Sequence, residues 1–503
     1  MMKRASGILL PIYALPSPYG IGTMGKAAYE FVDFLEKAGQ KYWQILPLGP
    51  TGYGDSPYQC TSDFAGNPYL IDIDMLIADG LLTQEEADAV SWGESAGRVD
   101  YGLIYQNRMK LLKKAAGRGL EKLNTDENTE KLRAKEFRKF LAENLKLQEY
   151  ALFAMLKEHF GMVSWQEWPD EGAKWRDGVT LERYRNEFAE DIEKILFIQF
   201  IFEKQWQKLR EYARSKGIGL IGDVPIYVPL DSCEVWKDPK LFLLDENKKP
   251  TVVAGCPPDA FSPLGQLWGN PIYDWNEMRN RNYGWWIDRI GAAARRYDII
   301  RLDHFRGFES YWSIPANDEN AQNGRWVKGP GMDLVGRLTS WFADTEFLAE
   351  DLGFLTDDVR KLLKDSGMPG MKVLSFAFSP DGESAYLPFR YDRESVCYTG
   401  THDNEPILGR FLAMTDEERA FAAKYMGTSM DVAELSVAAL RLGLSSVSEL
   451  FVAQMQDWLG KGSEARTNTP GIPQGNWQWR LQPGELTDNL AAQIRSMTEL
   501  YGR

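Results

Sequence analysis

Three acidic residues, far apart along the chain, each sit where an apolar, β-prone run gives way to a loop. Asp303 follows Ile299-Ile300-Arg301-Leu302 and precedes His304-Phe305-Arg306-Gly307. Glu350 closes the run Phe347-Leu348-Ala349, and Asp403 closes Val396-Cys397-Tyr398-Thr399-Gly400-Thr401-His402. Taken alone, Asp303 reads as a structural ion-pair partner of Arg301 or Arg306. Three segments of the same grammar point instead to carboxylates that converge, and converging carboxylates suit acetal chemistry. Breaking a glycosidic bond develops positive charge on the sugar ring and negative charge on the departing oxygen; one carboxylate meets the first and a carboxylic acid protonates the second. Two of the chain's three histidines, His304 and His402, adjoin the two aspartates. Neutral imidazoles and an arginine can hydrogen-bond sugar hydroxyls and keep a nucleophile ionised. Residues adjacent on a strand point to opposite faces, so neighbouring Asp-His pairs are poorly placed to share an ion. No metal is expected.

The elements around these residues explain how they could meet. The chain opens as a strand over 7–10, a glycine loop at 19–22, a helix with Ala28, Phe31, Val32, Leu35 and Ala38 on one face closed by Gly39, and a second strand over 42–47. That order implies a parallel pair with a crossover. Further strands are predicted over 220–228, 299–302, 347–350, 371–378, 396–403 and 450–455, most of them preceded by amphipathic helical patterns. Eight strands in this rhythm predict an α/β fold, a (β/α)8 TIM barrel, with large and mostly helical insertions after the second and third strands. In such a barrel all strand C-termini open on one face, where the chemistry is kept. Residues 1–503 are read as a single catalytic barrel domain, 50–215 as largely helical insertion subdomains, and 229–280 as a loop-rich insertion over the cleft. Asp223, inside the third strand, is expected to be a buried carboxylate that braces its neighbours. His159, on an amphipathic helix, is expected to be a surface or packing residue rather than a ligand.

Composition narrows the classes. Hydrophobic residues make up 44% and charged residues 26%, as in folded proteins generally. A net charge of −14 repels phosphate backbones, so a nucleic-acid partner is not expected. Four cysteines, Cys60, Cys233, Cys256 and Cys397, form no CxxC pair, which argues against a disulfide framework or zinc site and for a reducing, cytoplasmic setting. Pro11 and Pro16 interrupt the apolar run near the start, so it is read as a core strand rather than a signal peptide. No segment approaches the roughly 18–20 apolar residues of a membrane span. The 17 tryptophans could be core or sugar-stacking platforms.

Several stretches together resemble the amylomaltases, the 4-alpha-glucanotransferases or disproportionating enzymes related to the alpha-amylases. They are residues 6–10, 46–58, Phe64-Ala65-Gly66-Asn67-Pro68, 222–228, 265–275, 301–307, 349–353, 401–404 and 466–480, spread over nearly the whole chain. Thr467 departs from the pattern, which leads one to expect methionine there. The resemblance implies transfer of a 1,4-alpha-glucan segment to the 4-hydroxyl of an acceptor, with retention and a covalent glucosyl intermediate. It implies Asp303 as nucleophile, Glu350 as acid and then base, and Asp403 as transition-state stabiliser. Arg301, His304 and His402 match a shell around the reacting sugar, and Tyr58 matches a stacking platform. Gln266, Trp268 and Asn468 match glucan contacts over the cleft, and Tyr53 an aromatic that binds glucan away from it. No cofactor is implied; the partners are maltooligosaccharides and amylose, with no nucleic acid or membrane. An alpha-amylase-like hydrolase shares this chemistry, and a non-catalytic glucan-binding barrel is the rival from another class.

Overall fold

The computed structural model describes residues 3–52, 54–123, 128–259, 262–353 and 355–503, excepting the side chains of 128 and 129. Twelve strands are found among them. They are β1 (Ala5–Leu9), β2 (Tyr42–Gln44), β3 (Gly219–Val224), β4 (Val252–Cys256), β5 (Gln266–Pro271), β6 (Ile299–Leu302), β7 (Ser310–Pro315), β8 (Arg325–Lys328), β9 (Glu346–Ala349), β10 (Gly370–Val373), β11 (Ser395–Tyr398) and β12 (Leu450–Gln454). Eight of them close a parallel barrel in the order β1-β12-β11-β10-β9-β6-β3-β2, and the fold is a (β/α)8 barrel. Closure joins the first strand to the last, with Ala5 opposite Leu450 and Leu9 opposite Gln454.

The barrel forms because alternate residues of each strand are apolar and face inward. Leu9, Ile221, Ile299, Leu348, Met371, Val373, Val396, Tyr398, Leu450 and Val452 fill the lumen as one packed cluster. This is a core rather than a pore. The opposite faces meet the surrounding helices. Helix Lys26–Lys37 presents Phe31, Val32 and Leu35 inward and ends at Gly39, whose φ of 71° is open to glycine at little cost. Thr356 caps helix Asp357–Ser366 by accepting from Val359 N–H, and Gly367 closes it at φ 68°. Gly222 has a different purpose. The ring of Tyr297 lies where its Cβ would be, 2.1 Å from the nearest ring atom, so a helix-end aromatic packs directly on β3 beside Asp223.

The structure revises the strand ends. The second, third and sixth strands, expected to reach 47, 228 and 378, stop at Gln44, Val224 and Val373. Pro225 has no N–H for the ladder, and Leu374–Phe376 tightens into a 3-10 turn. The segment 229–280, read as loop-rich, contributes β4 and β5. With β7 and β8 they make a four-stranded antiparallel sheet in the order β5-β4-β7-β8. Between β2 and β3 the chain runs through long helices, among them Tyr101–Leu123, Leu145–His159 and Ala189–Ser215. His159 lies exposed on its helix with its ring against Phe160, Tyr184 and Phe188. No helix among the described residues is long and apolar enough to cross a membrane.

Candidate active site

Asp303 and Glu350 stand one residue past β6 and β9, which are neighbours in the ring, while Asp403 lies in the loop after β11, which stops at Tyr398 rather than reaching the expected 403. Asp303 N–H donates to Val224 O at 3.0 Å and Glu350 N–H to Leu302 O at 3.0 Å, so the ladder continues one residue beyond each strand and fixes both backbones. Beneath them lies a buried ion cluster. Arg301 Nη1 is 2.9 Å from Asp303 Oδ1 and 2.6 Å from Asp223 Oδ2. The Tyr58 hydroxyl donates to the same Asp223 oxygen at 2.6 Å. Asp223 is therefore the brace expected of it, tying Arg301 on β6 to the loop that carries Tyr58.

Glu350 is held by main chain. His304 N–H donates to its Oε2 at 2.7 Å and Leu352 N–H to its Oε1 at 2.8 Å. Asp403 is held by side chains: Asn468 Nδ2 donates to Oδ1 at 2.6 Å, and His402 Nε2 stands 3.3 Å from the same oxygen. Around them the Tyr58 and His402 rings stack at 4.8 Å and 17°. The Trp268 ring meets His304 edge-on at 4.8 Å, and its Nε1 donates to Gln266 Oε1 at 3.1 Å. Thus Asp303, Glu350, Asp403, Tyr58, Arg301, His304, His402, Gln266, Trp268 and Asn468 form one connected cluster. Tyr53 lies outside the described residues.

Two participants, Trp477 and Arg466, were not singled out from sequence. Trp477 packs 5.9 Å from both Tyr58 and His402. Its carbonyl accepts from Tyr101 Oη at 2.8 Å, which links the helical insertion to the site. Arg466 donates to Asp403 O at 2.7 Å and to Asn468 O at 2.7 Å. Thr467, in place of the expected methionine, is buried and accepts from Gln456 Nε2 at 3.0 Å. The aromatic and Arg-Thr-Asn pattern of 466–480 was the available signal, but it gave no pairing.

Electrostatics follow from burial. Desolvation pushes the Asp303 carboxyl well up; Arg301 opposes this, and Asp223, Glu350 and Asp403 add to it. Desolvation also raises Glu350, against Arg301 and the two N–H donors. Burial works against the Arg301 charge, but Asp223 and Asp303 outweigh it and keep the guanidinium protonated. Burial lowers His304 to about 3, with Arg306 adding repulsion, and lowers His402 against the pull of Asp403. Both rings are neutral at pH 7. A histidine buried neutral binds fewer protons folded than unfolded, so its contribution to stability is lost as pH falls from about 6.5 toward about 3. Raised carboxyls act in the opposite sense, gaining stability as pH falls through their folded values. The unfolding midpoint of His304→Gln is therefore expected to decline less steeply over that window than that of the parent, as thermal melts in a pH series would read. Among the described residues no three His, Cys, Asp or Glu side chains are grouped to hold a metal ion.

Eight parallel strands whose C-terminal ends gather acids, neutral imidazoles and aromatic rings define a (β/α)8 enzyme of carbohydrate chemistry. The chain belongs to the 4-alpha-glucanotransferase family: the glycoside hydrolase 77 family model, described as 4-alpha-glucanotransferase, matches residues 10–487. It is 45% identical over 495 residues to a 4-alpha-glucanotransferase of Clostridium butyricum, covering 98% of this chain and 99% of that one. It is 46% identical over 506 residues to one from Streptococcus pneumoniae, covering 100% and 98%. The solved amylomaltase of Streptococcus agalactiae in complex with acarbose superposes with a TM-score of 0.95 at 41% identity, each chain covered in full. The protein is an enzyme of this glucan-transferring class.

Proposed function

We propose that the enzyme moves a segment of a 1,4-alpha-glucan to the 4-hydroxyl of an acceptor glucan or glucose through two inversions at one anomeric carbon. Asp303 attacks that carbon while Glu350 protonates the departing 4-oxygen, forming a β-glucosyl ester. Glu350 then takes the proton of the incoming 4-hydroxyl as that oxygen displaces Asp303. Asp403 binds sugar hydroxyls and favours the flattened ring. Arg301, His304 and His402 surround the reacting sugar, Tyr58 stacks on it, and Gln266, Trp268 and Asn468 contact the rest of the glucan. Tyr53 is assigned a glucan contact away from the cleft on the resemblance alone.

The observation that carries this reading is the unequal partnering of the two carboxyls. Close carboxyls that repel one another share a proton between them. Arg301 stands 2.9 Å from Asp303, a full positive charge that favours ionisation there. Glu350 is touched directly by two N–H groups, and Arg301 acts on it without a direct contact. We therefore place the charge on Asp303, in direct contact with the guanidinium, and the proton on Glu350, the division that a retaining glycosidic mechanism needs, although burial pushes both carboxyls up.

Incubation with maltotriose tests the activity. Transfer yields glucose and a ladder of longer oligomers with reducing ends nearly constant; alpha-amylase-like hydrolysis raises reducing ends in step with glucose. Trp268 stands beside His304 on β5, at the rim where an acceptor would be gripped. Loss of an aromatic contact of about 1.4 kcal/mol is roughly tenfold in rate, so Trp268→Ala is expected to lower the transfer-to-hydrolysis ratio by about tenfold in the same assay.

Residues 1–503 are read as one catalytic domain, with 50–215 and 229–280 as insertions serving the site. The Tyr101–Trp477 bond and the position of Trp268 support this. All four cysteines are free, three of them buried, which supports a reducing cytoplasmic setting. The expected partners are maltooligosaccharides and amylose, with no nucleic acid, membrane or cofactor.

A further inference from the structure

His304 is a non-glycine residue in the left-handed region, with φ 49° and ψ 46°. That conformation costs an L-residue with a Cβ free energy that glycine does not bear, and it persists only where the surroundings over-determine it. Its effect is visible in two successive N–H groups. His304 N–H donates to Glu350 Oε2 at 2.7 Å, and Phe305 N–H donates to Glu350 O at 2.9 Å. In an extended chain successive N–H groups point to opposite sides; a left-handed residue lets them converge, as in an anion-binding nest. Both converge here on one residue, its carboxyl and its own carbonyl. The imidazole is separately occupied against the Trp268 edge.

We propose that the main chain of His304, and not only its ring, is a positioning element of the reaction: the left-handed turn after Asp303 aims an N–H at Glu350 Oε2 and so fixes the acid–base carboxyl relative to the nucleophile one residue away. This rests on the reading of Glu350 as acid and base. The same turn couples the two reacting groups mechanically. Asp303 and the N–H that orients Glu350 are joined by one peptide bond, so a shift of β6 moves nucleophile and acid together.

The charged and titratable groups that face Glu350 are Arg301 on β6 and Asp303 directly after it, Asp351 next to Glu350, Cys256 at the end of β4, and Tyr386. None of them is altered by a backbone change at 304, so a shift in Glu350 titration among variants at this position reports the N–H contact.

The test is a set of variants in the full-length enzyme: His304→Gly, →Asn, →Ala and →Val. Gly and Ala equally lack the ring, but only Gly, and to a lesser extent Asn, takes the left-handed turn readily. Ala is expected to show a kcat about five- to tenfold below Gly, with Val lower still. The basic limb of kcat/KM, where the acid loses its proton, is expected at higher pH in Ala and Val than in Gly, because a carboxylate that loses an N–H donor holds its proton more tightly. Equal kcat and superimposable pH profiles for Gly and Ala would overturn the proposal. The reading of Glu350 is tested apart from it, with Glu350→Ala and maltosyl fluoride, whose leaving group needs no proton. A burst of fluoride despite lost maltotriose activity upholds Glu350 as the acid whatever the 304 series shows; no burst removes that reading and the proposal with it.

Discussion

Asp303→Asn is expected to lower kcat for maltotriose disproportionation by on the order of 10^4-fold or more while leaving the enzyme folded and no less stable. The amide keeps the shape and one oxygen near Arg301 but cannot form the glycosyl ester. On the proposed roles, transition-state binding by Asp403 and the surrounding donors remains and sets the residual rate. Stability should hold or rise, because the substitution removes one of several carboxyls that burial forces together. Asp223 continues to balance Arg301 at 2.6 Å. Sites arranged for chemistry commonly carry this kind of frustration, and relieving it trades activity for stability. Steady-state kinetics paired with thermal unfolding check both halves. Retention of more than about 1% of the activity by a homogeneous variant would end the assignment of Asp303 as nucleophile, since loss of an essential nucleophile is far more severe.

The second large effect is expected at a residue that touches no sugar. Asp223 has no side-chain exposure and holds both Arg301 and Tyr58 through one oxygen. Asp223→Ala leaves the buried guanidinium with Asp303 as its remaining partner. Removing one member of a buried ion pair costs about 3–5 kcal/mol, and the lower end applies here because Asp303 is partly exposed and stays bonded. The expected result is a destabilisation of about 3 kcal/mol in denaturant unfolding together with a kcat reduced by roughly two orders of magnitude, as Arg301 and Tyr58 lose their common anchor. Tyr58→Phe separates the contributions. It removes only the hydroxyl donor, so its cost in stability should be about half or less of that figure. If Asp223→Ala were as stable as the parent, the ion cluster would not be the foundation of the site.

The barrel was legible because each of its strands is a short run of β-prone residues whose alternate members are apolar, and because all eight runs are followed by glycine, proline or charge. The acids were legible for the same reason: a strand of Ile299 and Ile300 that runs into Asp303 and His304 has no packing use for those residues. What escaped notice was pairing. β4 and β5 carry Gly255, Gly269 and Pro271, Gly265 directly precedes β5, and the register shifts between Val253 and Gly255. Glycines that allow close approach in a bulged hairpin look the same in sequence as glycines that punctuate a loop. β7 and β8 are recruited only by their antiparallel partner. Trp477 and Arg466 act through contacts with residues far away in the chain, and one-dimensional spacing does not report such distances. The left-handed turn at His304 is likewise invisible in its residue type, since histidine adopts many conformations.

The pairing of β1 with β12 has a consequence for biosynthesis. The edge of Ala5–Leu9 that β12 will occupy stays open until residues 450–454 leave the ribosome. At about 5–20 residues per second this interval is roughly 20–90 s. For that time an apolar ribbon of unpaired amides is available to any passing strand, and the incomplete ring must depend on the helices already made, or on a chaperone, to keep it from the wrong neighbour.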